Sequence, residues 1–294
     1  MKSICSYLKY VAIATAFTLT HTTLIPSVNA NTAIRLDRNL DSIDIYVPPP
    51  ERNTPGICSD SIESIINNVV ERKDVNQGKW GILVQSLDGT TIYNRSPDSY
   101  MIPASNAKLL VTAAALQQLD PGGQINSKSL REWITVTNLR SNNNYANILL
   151  SYLGGSQSVQ RALTPLGIDP KGYRLSDGSG LSRNNLITPR TLVSTLRAMY
   201  HSPGHDIFFA SLPVAGVSGT LQNRLRNSIA QGTVRAKTGT LKGVRSLSGY
   251  IENPEYGTLA FSIITNQPIS QPIAPVVSAI DEIVTHLSTL TPCQ

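Results

Sequence analysis

Ser105 and Lys108 stand three residues apart in Pro103-Ala104-Ser105-Asn106-Ala107-Lys108, just ahead of the apolar run from Leu109 to Leu116. A serine hydroxyl becomes a useful nucleophile when a neighbouring base takes its proton, and a lysine amine is such a base once its surroundings favour the neutral form. If the run is a helix, residues three apart share a face, and the first turn sets backbone N–H groups beneath any developing negative charge. Two more groups follow. Ser141-Asn142-Asn143 begins after 32 intervening residues, and Lys237-Thr238-Gly239-Thr240 after a further 93. Ser141 can relay a proton to a leaving amine, the Asn143 amide can hold a substrate amide, and a strand-borne Lys237 can attract a carboxylate. Gly239 is expected to keep the strand edge clear for a substrate. The backbone N–H groups of Ser105 and Thr240 can jointly face an oxyanion. This is equipment for acyl transfer through a serine ester.

Singly, these motifs carry little. Ser6-Tyr7-Leu8-Lys9 repeats the first spacing, and Ser27-Val28-Asn29 and Ser182-Arg183-Asn184 repeat the second, whereas Lys-Thr-Gly occurs once. All three stand in this order in one chain. Taken alone, Ser105 reads equally well as a helix cap beside a solvated lysine.

The elements that must position these residues follow from pattern. Asp60, with Glu63 three residues on, is expected to cap a helix through Ile62, Ile65, Ile66, Val69 and Val70. Trp80–Leu87 and Thr90–Tyr93 flank Asp88-Gly89, a hairpin signal. Helices are expected from Trp133 to Leu139, from Tyr145 to Leu153 with a stop at Gly154-Gly155, and from Thr188-Pro189 to about Tyr200. Strands are expected at Val234–Leu241, Val244–Ile251 and Thr258–Thr265, with a last helix near Ala274–Leu287. Strands at both chain ends and helices between predict an α+β architecture: one antiparallel sheet flanked by helices, built from both ends, with a mostly helical lobe. The sheet lobe is expected at about 58–100 and 230–294, the helical lobe at about 101–229, and the site in the cleft between them.

The 294 residues are 40% apolar, enough for a substantial core. Lys2 and Lys9, the apolar stretch from Tyr10 to Leu19, and Val28-Asn29-Ala30 read as a secretory signal over residues 1–30. An uncleaved anchor is the alternative; no later stretch is long and apolar enough to span a bilayer. Residues 31–57 read as a leader ending in Pro48-Pro49-Pro50 and Pro55-Gly56, with the globular part, 58–294, starting near Cys58. Without residues 1–30 the formal charge falls from +6 to +4. That suits a protein exported to the periplasm or cell envelope, and no dense basic run argues for nucleic acid. Removing Cys5 leaves Cys58 and Cys293, an even count beside helices expected to pack together, and so a candidate disulfide. No metal site is expected: Pro203-Gly204 breaks the His201/His205 spacing. No sequence feature specifies an oligomeric state.

The three motifs together resemble the active-site serine penicillin-binding enzymes. More narrowly, the chain resembles the D-alanyl-D-alanine carboxypeptidase/endopeptidase group, peptidase family S13. The resemblance runs through Trp80-Gly81, Leu87-Asp88-Gly89-Thr90, Met101 to Lys108, and Ser141 to Ala146. It continues through Asp177-Gly178-Ser179-Gly180-Leu181-Ser182-Arg183, Leu212 to Gly216, Gly219-Thr220-Leu221, and Lys237 through Tyr250. It implies a β-lactamase/DD-peptidase-like fold, peptidoglycan stem peptide as substrate, β-lactams as covalent inhibitors and no cofactor. Ser105 would be the acylated nucleophile, Lys108 its base and Ser141 the proton shuttle to the leaving D-alanine. Asn143 would hold the acyl-side amide, Lys237 and Thr238 the terminal carboxylate, and Thr240 part of the oxyanion hole. The run Ser179, Gly180, Leu181 and Arg183 would line the pocket for the peptide's side chain, with Arg183 either meeting a carboxylate there or serving structure. Relatives usually carry long insertions between the first and second motifs, where this chain has 32 residues.

Two rival readings keep part of this picture. A serine β-lactamase would share the first and third motifs, but class A enzymes deacylate with a glutamate, and Glu132 falls in a helical stretch ahead of Ser141. A non-catalytic relative that binds penicillin or cell-wall peptide would fit the missing insertions.

Overall fold

The computed structural model describes residues 56–293. The expected export signal, and all of the expected leader but Gly56 and Ile57, lie outside the described residues. The hairpin forms as β1 (Lys79–Ser86) and β2 (Thr91–Arg95). Gly89 supplies the turn's left-handed backbone, φ +102°, and the Asp88 carboxylate accepts from the Thr90 N–H at 2.9 Å. The closing strands are β3 (Val234–Leu241), β4 (Val244–Asn253) and β5 (Gly257–Asn266). All pair antiparallel in the order β2-β1-β5-β4-β3, so the two chain ends meet mid-sheet where β1 lies on β5.

The helices are α1 (Ile62–Val70), α2 (Ala107–Gln118), α3 (Leu130–Leu139), α4 (Asn143–Tyr152), α5 (Ser156–Leu163), α6 (Pro189–Tyr200), α7 (His205–Ala210) and α8 (Ile273–Ser288). Local side-chain chemistry sets three of these starts. Ser129 accepts from the Glu132 N–H, Asn142 from that of Tyr145, and Thr188 from that of Thr191 with Pro189 in the first turn. The expected Asp60 cap on α1 is absent. Ser59–Ser61 instead form a 3₁₀ turn, and the Asp60 N–H donates to Cys293 Sγ at 3.4 Å, because Cys58 and Cys293 are joined in a disulfide. The pair suggested by the even cysteine count is therefore made. Beside it Ile57–Cys58 runs parallel to Leu290–Thr291.

The sheet separates two cores. On one face α1 and α8 pack through Ile62, Ile66, Val276, Ile280 and Ile283 against Ile82, Phe261 and Ile263. The other face carries the helical lobe, centred on α2, which is buried on every side from Ala107 to Leu116. Burying each large aliphatic side chain of α2 contributes roughly 2 kcal/mol, so this helix is held from all directions rather than along one stripe. Between α2 and α3 the chain turns through Asn126 and Ser127, φ +49° and +65°, in a hairpin pairing Gln124–Ile125 with Lys128–Ser129. Among the described residues no helix is long and apolar enough to cross a membrane.

Candidate active site

The segment leading into α2 is strapped to the sheet before it reaches Ser105. Asn266, at the end of β5, holds both backbone groups of Ile102: its Oδ1 accepts the N–H at 2.9 Å and its Nδ2 donates to the carbonyl at 3.1 Å. Ser246 Oγ donates to the Pro103 carbonyl at 2.7 Å, and Asn106 Nδ2 to Ser248 Oγ at 2.8 Å. Ala104 takes a left-handed backbone, φ +49°, an uncommon state for a residue with a side chain. Ser141, on the opposite wall, does the same at φ +54°. Two such residues beside one cleft follow the tendency of strained backbone to collect at functional sites.

Lys108 is buried, and its Nζ has three neighbours: Ser105 Oγ at 2.8 Å, Asn143 Oδ1 at 2.8 Å and the Ser179 carbonyl. Two of these can only accept. A neutral amine gives its two N–H bonds to them and leaves its lone pair for the serine proton. Burial pushes the Lys108 pKa down to about 8, with Asp177 opposing.

The Ser179 carbonyl is placed by a loop that Asp177 organises. Its carboxylate accepts from the Gly180 N–H (2.6 Å), the Ser182 N–H (2.7 Å) and Ser179 Oγ (2.9 Å). Burial would raise its pKa, but the bonds from Ser182, Ser179, Gly180 and Asn185 hold it below the usual carboxylate value. Asn147 Oδ1 takes the N–H groups of Gly178 and Ser179 at 3.0 and 2.9 Å. Gly180, φ +84°, lies so close to the Ala104–Ser105 backbone that an added Cβ would stand 1.9 Å from the Ala104 carbonyl oxygen.

These groups open on a cleft of about 490 Å³ lined by Ser105, Ser141, Asn143, Leu181, Thr238 and Thr240. Other expected residues sit behind it. Lys237 is fully buried, donating from Nζ to the Thr238 carbonyl at 3.0 Å, and burial with the nearby Lys108 drives its pKa well down. Gly239 does not act as expected: a Cβ there would meet Ser246 Oγ at 2.0 Å and the Pro103 carbonyl at 2.7 Å. The glycine makes room for the strap on the segment that carries Ser105. Arg183 is exposed and donates from Nη1 to the Lys242 carbonyl at 2.9 Å, away from the cleft lining. Leu181 stands 53% exposed at the mouth.

Sequence reasoning missed Thr220, whose Oγ1 lies 2.7 Å from Thr238 Oγ1, and Arg224, Arg245, Ile273 and Val277 on the same wall. Gly219-Thr220-Leu221 was visible as text without a role. The arginines carried no local signal. No glutamate is among the described residues lining the cleft. Three metal-ligand types stand close together at Cys58, Asp60 and Cys293, but two are spent on the disulfide. His201 and His205 flank the Tyr200 ring, 5.4 and 4.7 Å between centroids, at the end of α6 and the start of α7.

A helical lobe on an antiparallel sheet, with a serine and a buried amine at their junction, defines the fold class of serine penicillin-binding proteins and β-lactamases. Penicillin-binding protein 4 of Haemophilus influenzae superposes with a TM-score of 0.66 at 15% identity, over 76% of this chain and 99% of that one. The β-lactamase from Streptomyces albus G does so with 0.63 at 18%, over 79% and 100%.

Residues 62–126 and 123–287 match the D-Ala-D-Ala carboxypeptidase 3 (S13) family, and the chain belongs to it. The join between the two matched pieces falls at the two-residue turn between α2 and α3, where the S13 resemblance implied missing insertions. The D-alanyl-D-alanine carboxypeptidase of Actinomadura sp. (strain R39) is 46% identical over 142 residues, 43% of this chain and 26% of that protein. Penicillin-sensitive carboxypeptidase A of Dictyostelium discoideum is 33% identical over 246 residues, 73% of this chain and 45% of that protein. The chain thus spans less than half the length of either relative.

Proposed function

We propose that this chain is a serine D-alanyl-D-alanine carboxypeptidase, with DD-endopeptidase action on cross-links as a related capacity, working on peptidoglycan stem peptides through a Ser105 acyl-enzyme. Neutral Lys108 takes the Ser105 proton as Oγ attacks the carbonyl of the penultimate D-alanine. The N–H groups of Ser105 and Thr240 face the oxyanion. Ser141 passes the proton to the departing D-alanine, Asn143 holds the acyl-side amide through its Nδ2, and water then releases the acyl group. Thr238 meets the terminal carboxylate, with Lys237 behind it. Leu181 and the loop from Ser179 border the side-chain pocket, and Arg183 fixes that loop to the turn after β3. β-Lactams would acylate the same hydroxyl. Residues 58–294 form the catalytic domain, and residues 1–30 direct export to the periplasm or envelope.

The observation that carries this reading is the environment of Lys108: a buried amine with two obligate acceptors and one hydroxyl, opening on a cleft that Ser141, Thr238 and Thr240 share. Fluorescent penicillin should label the protein covalently and fail on Ser105→Ala, and the protein should release D-alanine from a pentapeptide. Labelling without release would point to the non-catalytic relative, and rapid loss of label to a β-lactamase.

A further inference from the structure

The end of the cleft where β3 turns into β4 carries a rim of exposed aliphatic and cationic side chains. Leu181 and Ile273 line the mouth and are 53% and 55% exposed. Arg183 Nη1 donates to the Lys242 carbonyl at 2.9 Å, which joins the loop after Asp177 to the β3–β4 turn. The chain leaving β5 lies against that turn. The Gln267 N–H donates to the Gly243 carbonyl at 2.7 Å, and a Cβ on Gly243 would stand 3.7 Å from Ile269 Cα. Lys79, which opens β1, pairs with Asn266 just ahead of Gln267. Ile269 is 57% exposed at the tip of a turn bracketed by Pro268 and Pro272. The Gln271 N–H closes that turn on the Pro268 carbonyl at 3.0 Å, and the Gln271 side chain bonds the Asp74 carbonyl, so the turn is held with its aliphatic tip in water.

Lys79, Arg183 and Lys242 are exposed, and none of the ion pairs among the described residues includes them. Two acids lie near. The Asp177 carboxylate is taken up by the N–H groups of Gly180 and Ser182, and Asp74 joins none of those ion pairs. Single exposed aliphatics are ordinary. Three on one rim, interleaved with bases that have no carboxylate partner, make the composition of a surface that rests in a lipid interface, where aliphatics enter the acyl boundary and bases meet anionic headgroups. The chain's charge agrees: outside residues 1–30 it is formally +4. A soluble anionic polymer would answer the bases and leave the aliphatics in water, whereas an anionic lipid surface answers both.

We propose that the rim of Lys79, Leu181, Arg183, Lys242, Ile269 and Ile273 seats on an anionic lipid surface, so that the cleft opens at the headgroup layer. The attachment is interfacial and reversible, since a few side chains and bases give only marginal binding. It goes beyond the peptidase reading and does not depend on it: whatever the cleft takes, a protein held this way meets ligands tethered to the same surface.

Vesicle flotation tests this on protein purified from the exported fraction. Vesicles of equal parts phosphatidylcholine and phosphatidylglycerol should bind it roughly tenfold or more tightly than phosphatidylcholine alone, because each base near an anionic surface is worth about fivefold. High salt should erase most of that difference. Lys79→Glu with Lys242→Glu should remove the preference, and Ile269→Ser should weaken binding to the anionic vesicles by roughly threefold to tenfold. None of these three residues lines the cleft. Melting curves check that each variant is folded, and Lys242→Gln and Ile269→Ala decide if a first choice melts early. Equal binding to both vesicle types, binding to neither, or binding that the substitutions leave intact overturns the proposal. Sedimentation with lipid-free cell wall but not with vesicles, lost in the Lys242 variant, would put a wall polymer on the rim and overturn it as well. Binding is read with no substrate present, so a protein that seats on anionic vesicles but releases no D-alanine would sink the peptidase reading alone.

Discussion

On the proposed mechanism, Lys108 makes the rate of acylation a function of pH. Below its pKa of about 8 the amine is protonated on three sides and has no lone pair for the Ser105 proton. Acylation should therefore fall about tenfold per pH unit below that value and level off above it. Labelling rates with fluorescent penicillin across pH 5.5–9.5 check this, and a flat profile would remove Lys108 as the base. Gly180 is the other residue on which the geometry turns. Its left-handed backbone and its approach to Ala104 leave no room for a methyl group. Gly180→Ala should push the loop off the nucleophile, taking the Ser179 carbonyl from Lys108 and destabilising the fold by about 1–3 kcal/mol. Denaturation midpoints and acylation rates of that variant should drop together.

Elements place these residues through polar bonds that are distant in sequence. Asn266 is a sharp case: in Asn266→Ala both Ile102 backbone groups lose their partners. An unsatisfied buried group costs about 1–3 kcal/mol. That variant should lose about that much stability, as read by urea unfolding, and should label more slowly even at saturating penicillin. Such bonds explain what was legible in the sequence. The sheet strands, the hairpin and the helices at Ala107, Asn143 and Pro189 were visible because periodicity and turn chemistry are local. Ser105, Lys108, Ser141 and Asn143 were visible because their spacing is itself the signal. The straps were not: nothing near Ser246 or Asn266 says that they face Pro103 and Ile102. Gly239 was read as an opening for substrate because a strand glycine's lateral neighbour cannot be inferred without the partner strand. α5 escaped because Gly154-Gly155 looks like an end, whereas their positive φ angles, +89° and +83°, turn one helix directly into the next. Of the two readings open for Arg183, a pocket carboxylate or a structural role, the structural one fits its guanidinium, which bonds a carbonyl in the turn after β3.

For the whole molecule, the Cys58–Cys293 bond closes a loop with a sequence separation of 235, tying the entrance of α1 to the residues after α8. Constraining so long a loop in the unfolded chain is worth at most about 5 kcal/mol by the entropy estimate. Cys58→Ser with Cys293→Ser should lower stability toward that limit in urea unfolding without reductant, while acylation of the folded fraction stays near normal because the bond lies outside the cleft lining. Equal midpoints for both proteins would show that the short parallel pairing at Ile57–Cys58 already holds the ends.

The straps on Ser105 also bear on when the protein becomes reactive. Ile102 waits for Asn266, 164 residues later, and Asn106 for Ser248, 142 residues later. A chain still being synthesised carries its serine and lysine side by side but has no surface to hold their segment in place. The segment that carries Ser105 is therefore fixed in place only once the last third of the polypeptide has arrived.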